Sequence, residues 1–194
     1  MQPRIPRQPA HEPAGHRTGD DAGLSDELAA VVASARRRAV RDGDRQIDTA
    51  HLLHTLLESD PDVFAAFGDG PQTARLLGYL VQRSIGYGLR WQGVVEECGV
   101  LTPALATADA EGWSPLAAAT MDLARERALL RGDGAAHGID LLVAILTDPG
   151  ARAVEVLSRA GLDARELLAR VGEFTAPGPE ADECVGEGAA GSGT

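Results

Sequence analysis

Residues 25–57 of this chain return, 89 positions later, as residues 114–146. On that shift Ala35-Arg36-Arg37-Arg38-Ala39 falls on Ala124-Arg125-Glu126-Arg127-Ala128, and Gly43-Asp44 falls on Gly132-Asp133. Leu52-Leu53 falls on Leu141-Leu142, and Leu57 on Leu146. Identities at this density over roughly thirty positions are improbable by chance, even in an Ala-rich chain, and they mark an internal repeat. The globular body is therefore read as two copies of one unit.

Each copy reads as four short helices. The first opens at Ser25 or Ser114: Ser25 has N-cap chemistry, and Pro115 follows Ser114 where a missing N–H costs nothing. Leu28, Val31, Val32 and Ala35 recur at helical period, and the helix should stop near Gly43, its counterpart near Gly132. The second helix begins around Asp48-Thr49 and carries Leu52, Leu53, Leu56 and Leu57; its counterpart carries Leu141, Leu142, Ile145 and Leu146. The third spans 62–67 and 151–160, and the fourth runs from 72 to about 85 and from 163 to about 171, with Asp163 placed as an N-cap. Composition agrees: hydrophobic residues make up 44% and aromatic residues 4%, so the core must be Ala, Leu and Val, which favours helices over a β-sandwich. The predicted class is all-α, two tandem pseudo-symmetric four-helix repeats.

The repeats occupy 24–85 and 114–174, joined by a linker over 86–113 that is long for a connection. That linker holds Trp91, Cys98 and Trp113, and is expected to wrap the body or form a short helix through 94–98. Residues 1–23, with Pro3, Pro6, Pro9 and Pro13, and residues 175–194, rich in Gly, Pro and acidic side chains, read as disordered arms. Residues 1–23 contain no apolar core of a secretory signal, and no stretch reaches the length of a membrane span, which predicts a cytoplasmic protein with no membrane partner. A net charge of −11 disfavours nucleic acid. Arg36, Arg37, Arg38 and Arg41 interrupt that acidity, and at helical spacing they read as a solvated face.

The two copies resemble the Clp N-terminal domain, or Clp R domain, of ClpC-type unfoldases. The residues that carry the resemblance are Leu24-Ser25-Asp26-Glu27-Leu28 and Trp113-Ser114-Pro115-Leu116-Ala117 at the repeat starts. Asp48-Thr49-Ala50-His51-Leu52-Leu53-His54-Thr55-Leu56 and His137-Gly138-Ile139-Asp140-Leu141-Leu142-Val143-Ala144-Ile145 follow at the second helices. Ala153-Val154-Glu155-Val156-Leu157-Ser158-Arg159-Ala160-Gly161-Leu162 resembles the family's signature for the third and fourth helices, and the resemblance covers about 24–174. It implies eight helices and a role in docking adaptors and recognising clients for a Clp protease. It also implies a phosphoarginine site in each repeat, where a glutamate grips the guanidinium. That glutamate falls on Ala50 and Ile139, neither of which can accept a hydrogen bond through its side chain, so weak or absent phosphoarginine binding follows. The helix N-termini could still attract an anion. With no lysine in the chain there is no phosphate-binding loop of the Gly-x-x-x-x-Gly-Lys type, so the chain lacks the family's motor.

Candidate chemistry is sparse. His51 and His54 lie three apart on one helix, and a metal site would need Asp48 or Asp140 as well. The commoner outcome is rings that pack and cap a turn. Cys98 lies in the linker and Cys184 in the C-terminal arm, Ser84 and Ser114 have no histidine nearby in sequence, and Glu96-Glu97 reads as a solvated pair. No cofactor, metal or catalytic residue is predicted. The expected binding surface is the start of the two second helices: Asp48, Thr49, Ala50 and His51, and His137, Gly138, Ile139 and Asp140. The leading expectation is a non-catalytic module that binds Clp unfoldase or protease components, adaptors, client peptides or cyclic-peptide ligands. The alternatives are an enzyme of small-molecule metabolism built on the same scaffold, and a regulatory protein whose arms make the contacts.

Overall fold

The computed structural model describes residues 21–84, 95–99 and 112–175. Among these the chain is all-α, with eight helices. They are α1 (Asp26–Asp42), α2 (Thr49–Ser59), α3 (Pro61–Phe67), α4 (Pro71–Ser84), α5 (Pro115–Arg131), α6 (Gly138–Thr147), α7 (Arg152–Ala160) and α8 (Ala164–Thr175).

The helix ends follow from local chemistry. Ser25 Oγ accepts from the Leu28 N–H at 3.1 Å, and Ser114 Oγ from the Ala117 N–H at 3.1 Å. Both first helices end in a left-handed glycine, Gly43 at φ 77° and Gly132 at φ 81°. The next residues, Asp44 and Asp133, turn their N–H groups back to Ala39 and Ala128. Asp163 caps α8 by accepting from the Arg165 and Glu166 N–H groups at 2.7 and 3.2 Å.

The copies are tied together reciprocally. Leu24 pairs with Ala136 and Ile47 with Trp113, two short parallel bridges related by the 89-residue shift. Each bridge has two hydrogen bonds: Ser25 N–H to Ala136 O (2.9 Å) and Ala136 N–H to Gly23 O (2.8 Å), then Ser114 N–H to Ile47 O (2.8 Å) and Ile47 N–H to Gly112 O (2.7 Å). The segment before the first helix of each copy thus satisfies the backbone before the second helix of the other.

Packing crosses between copies as well. α2 packs on α6 and α7, α3 on α6 and α8, and α4 on α7. The copies are consequently interleaved rather than two free-standing bundles. α2 and α6 lie at the centre, with nine of eleven and eight of ten residues buried; α6 is apolar nearly all round, whereas α2 also buries Thr49, His51, His54 and Thr55.

Of the two expectations for the linker, wrapping the body or a short helix, the helix does not form over the described residues. Residues 95–98 are not helical. A single isolated turn has little stability of its own, whereas in the observed path the Glu96 carboxylate and the Gly99 N–H both find buried partners on the body. The expected arms lie outside the described residues, apart from residues 21–23 and Thr175, which closes α8. Among the described residues no helix is long and apolar enough to cross a membrane.

Candidate functional site

At the start of α2, Asp48 and His51 cap one another. Asp48 Oδ1 accepts from the His51 N–H at 2.9 Å, and His51 Nδ1 accepts from the Asp48 N–H at 3.1 Å. Asp48 Oδ2 takes the Arg152 guanidinium from the start of α7 at 2.7 Å. Thr55 donates to the His51 carbonyl one turn on. Asp48, Thr49, Ala50 and His51 are all buried, so this half of the expected surface is an interior junction, and Ala50 belongs to the core.

The junction is filled by Glu96. The expectation of a solvated Glu96-Glu97 pair is corrected here: Glu97 is exposed, but Glu96 is 4% exposed. Its carboxylate accepts from the Thr49 N–H (3.0 Å), the Arg152 N–H (2.8 Å), the Ser114 hydroxyl (2.8 Å) and the Thr49 hydroxyl. Two helix starts, α2 and α7, aim free N–H groups at one carboxylate, and the positive ends of both helices favour its charge. The Ile47–Trp113 bridge sets Thr49 and Ser114 side by side and so builds the cradle. Thr49 Oγ1 also accepts from the Ala153 N–H at 3.1 Å, which ties α2 to α7 directly. Three residues beyond Glu96, the Gly99 N–H donates to Asp148 at 3.2 Å, a second anchor for the linker.

The start of α6 has the two residue types exchanged, His137 at the N-cap and Asp140 as the third residue of the helix. Asp140 Oδ2 accepts from the His137 N–H at 3.0 Å. Asp140 is buried, and the Arg131 guanidinium grips it through both terminal nitrogens, one of them at 2.8 Å, while also reaching Asp133. Burial pushes the Asp140 carboxyl up. The Arg131 and His137 hydrogen bonds and the charges of Arg131 and Arg127 outweigh it and hold the group below the usual carboxylate range. Those bonds in turn push Arg131 further up.

This second start is more open. His137 is exposed and Ile139 is half-buried against the core, although Gly138 is covered. A Cβ on Gly138 would come within 1.9 Å of Asp60 Oδ2 and 3.2 Å of Leu56 Cδ2. Asp60 cannot swing away freely, because its Oδ1 caps α3 through the Asp62 and Val63 N–H groups, both at 3.0 Å. Gly138→Ala should therefore destabilise the fold by about 1–3 kcal/mol through overpacking, read from a urea midpoint. An unchanged midpoint would contradict this packing.

The two histidines of α2 do not converge. His54 Nε2 lies 3.2 Å from Glu58 Oε1, whereas His51 faces Asp48 and Asp44. Asp44, Asp48 and His51 bring three ligand atoms within 4.8 Å of one another. Both Asp48 oxygens are already engaged, by the helix cap and Arg152, and both ring nitrogens face carboxylates. Asp48 and His51 Nδ1 in this group belong to the helix cap. Burial, then the Asp148, Glu97 and Glu96 carboxylates, push the Cys98 thiol up, which makes it a poor nucleophile. Arg36, Arg37 and Arg41 are exposed as expected, while Arg38 folds onto Glu58.

No protein-family model matches the chain, and no curated protein matches it. In fold it is similar to a chain from preliminary structural investigations of a malarial protein secretion system. The TM-score is 0.53 at 14% identity, over 78% of this chain and 94% of that one. At that identity the likeness is one of fold.

Proposed function

We propose that this chain is a non-catalytic protein- and peptide-binding module of the Clp N-domain kind, acting in the cytoplasm as an adaptor, regulator or decoy for Clp-type proteolysis. The observation that carries the reading is the helix order of two four-helix copies, cross-bridged at the segments that precede the first and second helices. The fold shared with a chain from a malarial protein secretion system agrees with work on polypeptides. Among the described residues, two groups a hydrolase would recruit are engaged or deactivated. Ser114 Oγ caps α5 and donates to Glu96, and the Cys98 thiol is pushed up.

Peptide contact is assigned to the α6 start, where His137 is exposed and Ile139 half-buried. The test is a calorimetric titration with a purified Clp unfoldase and with an unstructured model polypeptide, on the unmodified protein and on Ile139→Arg. Binding lost in the variant supports the assignment. No binding of either partner, or equal binding by both proteins, overturns it.

Phosphoarginine discriminates further. The unmodified protein should bind it weakly or not at all, and Ile139→Glu should gain about tenfold, from one charge-assisted hydrogen bond of about 1.5–3 kcal/mol. The equivalent change at Ala50 would bury a carboxylate in the core and belongs in a stability experiment instead. Tight phosphoarginine binding with no gain in the variant would show recognition that does not use position 139.

A further inference from the structure

We propose that His51 is a proton-operated latch on the junction that holds the linker, with one hydrogen-bond pattern when the ring is neutral and another when it is protonated. His51 is fully buried, and its ring lies between carboxylates. Nε2 is 3.2 Å from Asp44 Oδ2 and 3.9 Å from Asp42 Oδ2, on the C-terminal side of α1. Nδ1 is 2.8 Å from Asp48 Oδ1 and 3.1 Å from the Asp48 backbone nitrogen. A neutral ring protonated on Nε2 accepts the Asp48 N–H on Nδ1 and turns its own N–H to the side where Asp44 and Asp42 lie. A proton taken from solvent onto Nδ1 turns that nitrogen from acceptor to donor. The ring then bonds Asp48 Oδ1, and the Asp48 N–H loses its partner. Little movement is needed, since both contacts already exist.

The other copy shows what the position asks for. On the 89-residue shift, Arg131 stands where α1 has Asp42, Asp140 where α2 has His51, and His137 where it has Asp48. There the charge pairing is permanent, because Arg131 holds Asp140. In the first copy the signs are exchanged and the cation must be His51, which can lose its charge near neutral pH. The charged groups around it are Asp42 and Asp44 from α1 and the turn after it, Asp48 from its own cap, and Arg152 from α7, which pairs with Asp48. Arg41 lies 3.6 Å from Asp42, and Glu96 from the linker holds the adjoining Thr49 and Arg152 N–H groups. The three carboxylates favour the ring cation, and burial opposes it. Through Asp48 and Arg152 the ring's state reaches the cradle that holds Glu96.

The test is ring nitrogen–proton correlation of His51 from about pH 5 to 9, with urea unfolding and amide exchange of Thr49 and Arg152 over the same range. Any stabilisation carried by the ring cation and its carboxylate contacts is present at low pH and is lost as the ring gives up its proton. The expected result as pH rises is loss of the Nδ1 proton with Nε2–H retained, a matching fall in stability, and exchange at Thr49 and Arg152 that quickens by more than its intrinsic base-catalysed rise. His51→Gln, which cannot titrate, should remove that pH dependence. The charge-exchanged pair Asp42→Arg with His51→Asp, which copies the second repeat, should remove it too and guards against a variant that fails to fold. A ring that keeps one protonation state throughout overturns the latch. So does a pH profile that is the same in all three proteins, or a ring signal that changes only when zinc is added.

Discussion

Glu96→Ala is expected to lower the unfolding free energy by about 3–5 kcal/mol, the largest loss for any single side chain outside the apolar core. The change strands two backbone N–H groups and two hydroxyls in a buried place, and each stranded donor costs about 1–3 kcal/mol less whatever entering water recovers. Glu96→Gln is the informative companion. It keeps the shape and one carbonyl oxygen, but it loses the charge that two helix starts favour and adds an N–H₂ facing donors. It should cost about half as much. Urea unfolding of the three proteins gives the order wild type, Glu96→Gln, Glu96→Ala. A Glu96→Ala protein within 1 kcal/mol of wild type would mean that the linker does not seal the junction.

The second large effect lies at the start of α6. Arg131→Ala leaves the buried Asp140 carboxylate without its fork. Breaking a buried pair from one side costs about 3–5 kcal/mol. Arg131 is a third exposed at its side chain, so about 2–3 kcal/mol is the expected loss at pH 7. The pH dependence gives the sharper test. In the unmodified protein the Asp140 carboxyl is held below its ordinary value, so its contribution is complete above about pH 4 and is lost as pH falls through the folded titration. In Arg131→Ala, burial is opposed only by the His137 N–H and Arg127, so the carboxyl titrates higher than in the unmodified protein. The penalty is then largest near neutrality and shrinks as pH falls and the carboxyl takes up a proton. The stability gap between the two proteins should narrow between pH 7 and pH 4. A constant gap would mean that Arg131 acts through Asp133 or through packing alone.

The helices were legible because their signals are local. Serine at the cap and glycine one residue past the end are fixed by backbone geometry within a single turn, so Ser25, Gly43, Ser114 and Gly132 were sufficient to place α1 and α5. The leucine pairs of α2 and α6 were visible as well, but not that each helix is enclosed by helices of both copies. Glu96 was misread for the same reason. Nothing next to Glu96-Glu97 distinguishes a solvated pair from a buried acceptor. The distinction is made by Thr49, Ser114 and Arg152, which are distant in sequence and meet only because the Ile47–Trp113 bridge forms.

The candidate site divides in the same way. The sequence singled out the start of the second helix in each copy as a binding surface; the structure shows an acid and a histidine at cap spacing there, reciprocal at α2 and with the acid accepting from the cap N–H at α6. Which of the two faces solvent was not legible. It depends on the linker covering α2 while leaving His137 exposed at α6, and that asymmetry lies between the repeats rather than within either.

Amide chemical-shift mapping of the labelled protein during titration with an unstructured model polypeptide tests the binding reading most directly. The account expects saturable shifts centred on His137, Gly138 and Ile139, with Thr49 and Arg152 joining them only in the Glu96→Gln protein, where the junction is loosened. An absence of shifts at every residue, or shifts confined to residues 1–20 and 176–194, would contradict it.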